Sequence, residues 1–184
     1  MARSAGIPDV VAQLLVARGV TDPSIVTEFL EAKLVGLRSP ELLPGISAAA
    51  DCIYAAVQSG EKITIYGDYD ADGMTATSIL LLCFRLLGAE VDYYVPHRLE
   101  EGYGLNEEAL VKLAERGTEI VVTVDCGIAS VREAERARAL GLTLVVTDHH
   151  QMGERLPDAA ALVHPALPGG HYPCPGLCGA AVAF

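Results

Sequence analysis

With 184 residues, 51% of them apolar, 20% charged and no tryptophan, the chain has the material for a single core of ordinary size. No stretch approaches the roughly 18 uncharged apolar residues of a helical membrane span, and the N-terminus lacks the basic-then-apolar order of a secretory leader, so a cytoplasmic protein is expected. The net charge of -11 argues against tight, autonomous binding of nucleic acid by this segment, because phosphate contacts ask for basic surface.

In chain order, Ile7, Val10, Val11, Leu14 and Leu15 recur at helix spacing. Thr21-Asp22-Pro23 then offers a cap followed by a first-turn proline, ahead of Ile25, Val26, Phe29 and Leu30. A loop with Pro40, Pro44 and Gly45 leads to a third helix from Ala48 to Val57, which Gly60 ends. Residues 1–60 are therefore expected to form a helical preface, and 61–184 a catalytic domain. From Lys62 the pattern alternates: strands are predicted near 62–67, 90–95, 119–124, 142–147 and 160–163, with helices near 74–87, 105–116 and 129–140. Gly88, Gly117 and Gly141 stand where each helix must stop. The fold class predicted is α/β, an open parallel sheet of about five strands flanked by helices. Of the five cysteines, Cys52, Cys83 and Cys126 fall in apolar contexts and are expected to be reduced and packed as small hydrophobes.

Three acidic clusters stand where β-branched runs end. Asp68-Tyr69-Asp70-Ala71-Asp72-Gly73 follows Ile63–Tyr66, Asp125-Cys126-Gly127 follows Ile120–Val124, and Asp148-His149-His150 follows Leu142–Thr147. Each has a plainer explanation: an Asx turn for the first, a helix N-cap for Asp125, a solvated turn for the third. In an open parallel sheet, however, all strand C-termini face one crevice, so these groups converge. Carboxylates with imidazoles make a hard-metal site for two ions, which suits phosphate esters. A receiver-type signalling domain also gathers acids there, but it needs a strand-end lysine and has no use for paired histidines. In the tail, His164, His171, Cys174 and Cys178 suggest zinc on composition, yet their spacing and the intervening prolines favour a plain loop.

The runs Tyr66-Gly67-Asp68-Tyr69-Asp70-Ala71-Asp72-Gly73, Asp125-Cys126-Gly127 and Asp148-His149-His150 resemble the first three motifs of the DHH phosphoesterase superfamily. The helical preface, the stretch Val95-Pro96-His97-Arg98 through Glu101–Leu105, and the ending Cys178–Phe184 make the chain most similar to the N-terminal part of that superfamily's single-stranded-DNA-specific exonucleases. The resemblance implies metal-dependent hydrolysis from 5′ ends in DNA repair and recombination, with two ions of Mn2+ or Mg2+. It implies that Asp70 and Asp72 hold one ion each, Asp125 bridges them and His149 completes the coordination of the second ion. His150 is implied to face the scissile phosphate, Asp148 to orient the pair, and Arg98 to clamp phosphate, against the alternative of a surface arginine. Asp68 is left as either an outer partner or a turn-former. Other readings within the resemblance are an oligonucleotide or cyclic-dinucleotide phosphodiesterase, or a scaffold without chemistry; the intact ligand set argues against the last. The family pattern continues with a fourth acidic ligand and a closing domain, so an incomplete catalytic domain is expected, needing those parts for tight hold on single-stranded DNA.

Overall fold

The computed structural model describes residues 1–31 and 33–184. These fall into two compact units, Met1–Ser39 and Pro40–Phe184. In the first, α1 (Ala2–Ala5), α2 (Asp9–Ala17) and α3 (Pro23–Glu31) gather on Leu15, Val20 and Val26. The expected cap is there: Asp22 Oδ1 accepts from the amide of Ser24, the second residue of α3, at 2.8 Å. Val10 and Leu14, on the expected apolar stripe, are exposed.

The second unit contains α4 (Ile46–Ser59), β1 (Ile63–Tyr66), α5 (Ala71–Leu86), β2 (Val91–Tyr94), α6 (Glu107–Glu115), β3 (Ile120–Val124), α7 (Val131–Ala139), β4 (Thr143–Thr147), β5 (Ala161–Val163) and α8 (Gly179–Ala183). The strands form one parallel sheet in the order β2-β1-β3-β4-β5. Alternate residues of each strand point to opposite faces, and both faces are covered. Ile63, Ile65, Val122, Val124 and Val145 pack with Ala49 and Ala56 of α4, Ala76 and Phe84 of α5 and Val182 of α8. On the other face Tyr66, Val121, Leu144 and Val146 pack with Ala109, Leu110 and Leu113 of α6 and Ala134 and Ala137 of α7. This double burial is why β1 and β3 read as nearly continuous apolar runs, and the predicted strands and glycine stops hold to within a residue or two.

Two placements differ from expectation. The third helix was expected in a preface of residues 1–60, but α4 packs on the sheet, because Ala49 and Ala56 give it a flat, small-residue face that sits close against the strands. Among the thiols, Cys126 is buried and Cys52 half-buried, while Cys83 faces outward on α5. Among the described residues, no helix is long and apolar enough to cross a membrane.

The start of α4 is tied to the far edge of the sheet through Gly45, which has φ 83°. A Cβ there would lie 1.7 Å from the Leu162 carbonyl oxygen of β5. Gly45→Ala is therefore expected to destabilise the fold by about 3 kcal/mol, through backbone collision and left-handed strain together. Thermal denaturation at the wild-type midpoint would show it; an unchanged midpoint would contradict the close approach.

Candidate metal centre

Because β2 and β3 lie on either side of β1, the order in which strands are added reverses at β1, and a crevice opens at the C-terminal ends of the central strands. The three acidic clusters occupy those ends on adjacent strands, β1, β3 and β4. Strand register keeps them level: the Asp125 amide donates to the Thr147 carbonyl at 3.1 Å, and the Asp148 amide to the Val163 carbonyl at 3.1 Å.

After β1, Asp70 turns the chain into α5. Its Oδ1 accepts from the Asp72 amide at 2.8 Å and the Gly73 amide at 3.0 Å, so the helix begins at Ala71, earlier than the periodicity predicts. The Asx-turn explanation thus applies to Asp70. Asp68 is buried and its Oδ1 accepts from the Tyr69 amide at 2.7 Å. Burial raises Asp68 above the usual carboxylate range, the Tyr69 amide opposes, and Asp70 adds to the rise.

Asp125 adopts a left-handed conformation, φ 62°, which only Gly, Asn and Asp reach with ease. It does not cap α7, whose N-cap is Ser130. Its side chain is 1% exposed, and Oδ1 has no hydrogen-bond donor. His149 Nε2 lies 2.9 Å from that oxygen and 3.5 Å from Asp72 Oδ2, but off the line that a hydrogen bond to Oδ1 needs. Burial first, and then the charge of Asp72, push the Asp125 carboxyl up to about 6, with the two histidines opposing.

Asp148, likewise 1% exposed, is saturated. Oδ1 accepts from the amides of His149 (2.7 Å) and His150 (3.0 Å) and lies 2.8 Å from His150 Nδ1; Oδ2 accepts from the Ile128 amide at 2.9 Å. The carboxylate accepts only, so Nδ1 carries a proton and Nε2 of His150 is left for a ligand. Burial pulls His150 down, but the Asp148 hydrogen bond and charge outweigh it and leave the ring above its usual range.

Two donor sets emerge, Asp68 with Asp70 and Asp125, and Asp125 with His149 and His150, each with ligand atoms within 4.8 Å of one another. Asp125 is common to both. An orphaned buried oxygen at the junction of two such sets fits a pair of divalent ions bridged by one carboxylate. Asp72 stands beside the second set, but α8 grips it: Oδ2 accepts from the Gly179 amide and Oδ1 from the Ala180 amide, both at 2.7 Å. Burial pushes Asp72 up, yet these amides, the Cys178 thiol and His149 together hold it below the usual range. Arg98 is exposed at the rim, its guanidinium 5.1 Å from the Tyr69 ring centroid. Tyr103 covers the crevice, with its hydroxyl 3.3 Å from the Asp125 carbonyl oxygen and from His150 Nδ1. Its loop is pinned below by Tyr66, whose hydroxyl donates to the Gly104 carbonyl at 2.9 Å.

Sequence reasoning missed the two α8 amides. Backbone donors carry no side-chain signature, and residues 164–178 read as a plain loop. The zinc alternative finds no footing at His164, whose two ring nitrogens are both engaged within the protein.

Protons compete with metal here. Binding must displace the proton from Asp125, at about 6, and places positive charge beside the His150 ring, which is held above its usual range. Mn2+ affinity is therefore expected to fall steeply from pH 7.5 to 5.5, by about tenfold or more per pH unit at the acid end. Calorimetric titration across that range checks it; a flat profile would exclude Asp125 as a ligand.

A parallel sheet with carboxylates and imidazoles gathered at its switch point defines an α/β domain with a candidate divalent-metal centre. Residues 62–184 match the DHH family, N-terminal domain, and the chain belongs to that family. It is similar to the single-stranded-DNA-specific exonuclease RecJ of Bacillus subtilis, 48% identical over 97% of this chain and 23% of the relative, and to that of Escherichia coli K12, 39% identical over 98% and 31%. Among solved structures, an exonuclease RecJ bound to manganese superposes with a TM-score of 0.72 at 39% identity, covering 80% of this chain and 37% of the other. The chain thus spans less than a third of the length of these two curated relatives.

Proposed function

We propose that this chain carries the metal centre of a single-strand-specific DNA exonuclease that hydrolyses phosphodiesters from the 5′ end. The observation that carries the reading is Asp125, buried, left-handed, without a donor, and shared by two ligand sets. Asp68 and Asp70 would hold one ion and His149 the other, with Asp72 at its side; Mn2+ suits the mixed oxygen and imidazole donors, and Mg2+ the carboxylate set. Bound there, such ions supply Lewis-acid activation of water and neutralise charge in an in-line displacement.

The chain's own residues do the rest. His150 presents Nε2 to the scissile phosphate and can pass a proton to the departing oxygen, while Asp148 fixes its tautomer and angle. Arg98, stacked on Tyr69, reaches outward to grip phosphate oxygens bidentately. Tyr103 limits water access from above. Intact ligands at all five central positions favour chemistry over a scaffold role. The net charge of -11 gives this segment little hold on a phosphate backbone, so tight binding of single-stranded DNA rests on parts of the full-length protein outside these residues. The reading sets the protein in the cytoplasm, in DNA repair and recombination, where a reducing compartment suits its free thiols.

The test is digestion of single strands labelled at the 5′ or 3′ end by the full-length gene product with Mn2+. Release of the 5′ label first, with double strands spared, is the expected result. Release of the 3′ label first, or equal cleavage of short dinucleotides and long strands, would replace the reading with another activity of the family.

A further inference from the structure

His164 follows β5 and is 2% exposed, and all of its polar atoms are engaged. Its amide donates to the Pro44 carbonyl at 3.4 Å, and its carbonyl accepts from the Leu167 amide at 3.2 Å. Nδ1 accepts from the Ala166 amide at 3.0 Å, and Nε2 lies 2.9 Å from the His150 carbonyl oxygen. An amide can only donate, so Nδ1 must be unprotonated; the ring is then neutral, and Nε2 carries the proton that the His150 carbonyl accepts.

Among the described residues, no other hydrogen bond holds the His150 carbonyl. His149 and His150 lie beyond the end of β4, outside the ladder. Asp148 holds their two amides and the His150 ring. It has no group to hold the His150 carbonyl. With only the amide side fixed, the peptide after His150 is free to turn about its Cα–C bond, and with it the exit of the chain from the histidine pair. His164 closes that freedom from the opposite side, and the Asp148 amide bond to the Val163 carbonyl sets it one residue from the β4–β5 pairing.

We propose that His164 is a positioning residue for the His149-His150 pair, a role that rests on the metal-centre reading above. It acts through the His150 backbone and touches neither ion nor phosphate.

Two substitutions separate this role from simple support of the 164–167 turn. His164→Phe keeps the ring volume and loses both nitrogens. His164→Gln also loses the acceptor for Ala166, but its amide can extend to the His150 carbonyl and donate. Both are compared with wild type by Mn2+ titration and thermal denaturation. Proton NMR of the metal-free protein follows the His150 Nδ1 proton that Asp148 holds.

The expected result is that His164→Phe weakens Mn2+ binding at least tenfold, the range found when an orienting partner is lost, and that the Nδ1 resonance disappears into exchange. His164→Gln is expected to restore both to near wild type. Equal losses in the two variants would tie the effect to the Ala166 bond and overturn the proposal, as would Mn2+ binding by His164→Phe within twofold of wild type. If the Phe variant does not fold, His164→Gln against wild type decides: a tenfold loss there, or an Nδ1–H tautomer for His164 in the wild type, overturns it. Wild-type protein that takes up no Mn2+ would sink the metal reading instead, and the Nδ1 resonance in the variants would still decide on His164.

Discussion

Asp125→Asn is expected to abolish Mn2+ binding and, in the metal-free protein near neutral pH, to raise the melting temperature. The two effects share one cause. Asp125 is buried without a donor on Oδ1 and faces the charge of Asp72, so burial and that charge set its carboxyl at about 6 in the folded state. A group whose folded value lies above its unfolded one binds its proton more tightly when folded. Its favourable contribution is complete below the ordinary value of 3.8 and is lost as pH rises through about 6. At neutral pH the ionised carboxylate therefore costs on the order of 2–3 kcal/mol in the metal-free state. Asparagine removes the charge and tolerates the left-handed backbone. The same substitution takes an anionic oxygen from both donor sets at once, since Asp125 is their common member. Melting curves with and without Mn2+ check this: the variant should melt higher than wild type without metal and show no shift on its addition. A Mn2+-induced shift equal to that of wild type would remove Asp125 from the centre.

Gly179→Ala is expected to do the reverse to stability while also damaging the centre. Gly179 is the first residue of α8 and is buried against Asp125. A Cβ would lie 2.4 Å from Asp125 Oδ1, 2.6 Å from its Cγ and 2.7 Å from its Cβ, distances that real atoms do not share. Asp125 cannot retreat, because it is held in a buried turn whose amide is bonded to β4. Either α8 lifts, giving up the amides of Gly179 and Ala180 on Asp72 and the packing of Val182, or the carboxylate is driven out of the two ligand sets. Overpacking of this kind costs about 1–3 kcal/mol, and loss of an orienting contact costs tenfold or more in metal affinity. Denaturation and Mn2+ calorimetry on the one variant should show both losses. Retention of wild-type values in both would mean that α8 does not seat against Asp125.

The sheet was legible because its signals are local and periodic. Ile63–Tyr66 and Ile120–Val124 are short, mostly β-branched and apolar but for Thr64 and Thr123, as two-sided burial favours, and Gly88, Gly117 and Gly141 mark helix stops through a backbone preference of glycine itself. The convergence of Asp68, Asp70, Asp125, His149 and His150 was legible for the same reason: once the strands are parallel, their C-terminal ends must face one crevice. The sequence did not settle how those side chains divide their duties. Asp70 spends one oxygen capping α5, and Asp72 spends both on α8, 107 and 108 residues away along the chain. The donors there are backbone amides, which every residue but proline possesses, and the clearance that makes Gly179 indispensable depends on where Asp125 arrives. The pinning of His150 by His164 was likewise hidden in a tail that reads as a Pro/Gly loop. Side-chain type and spacing by themselves determine the elements and the chemistry on offer. Which atoms are free, which are consumed and which must be absent is decided only when distant backbone reaches the site.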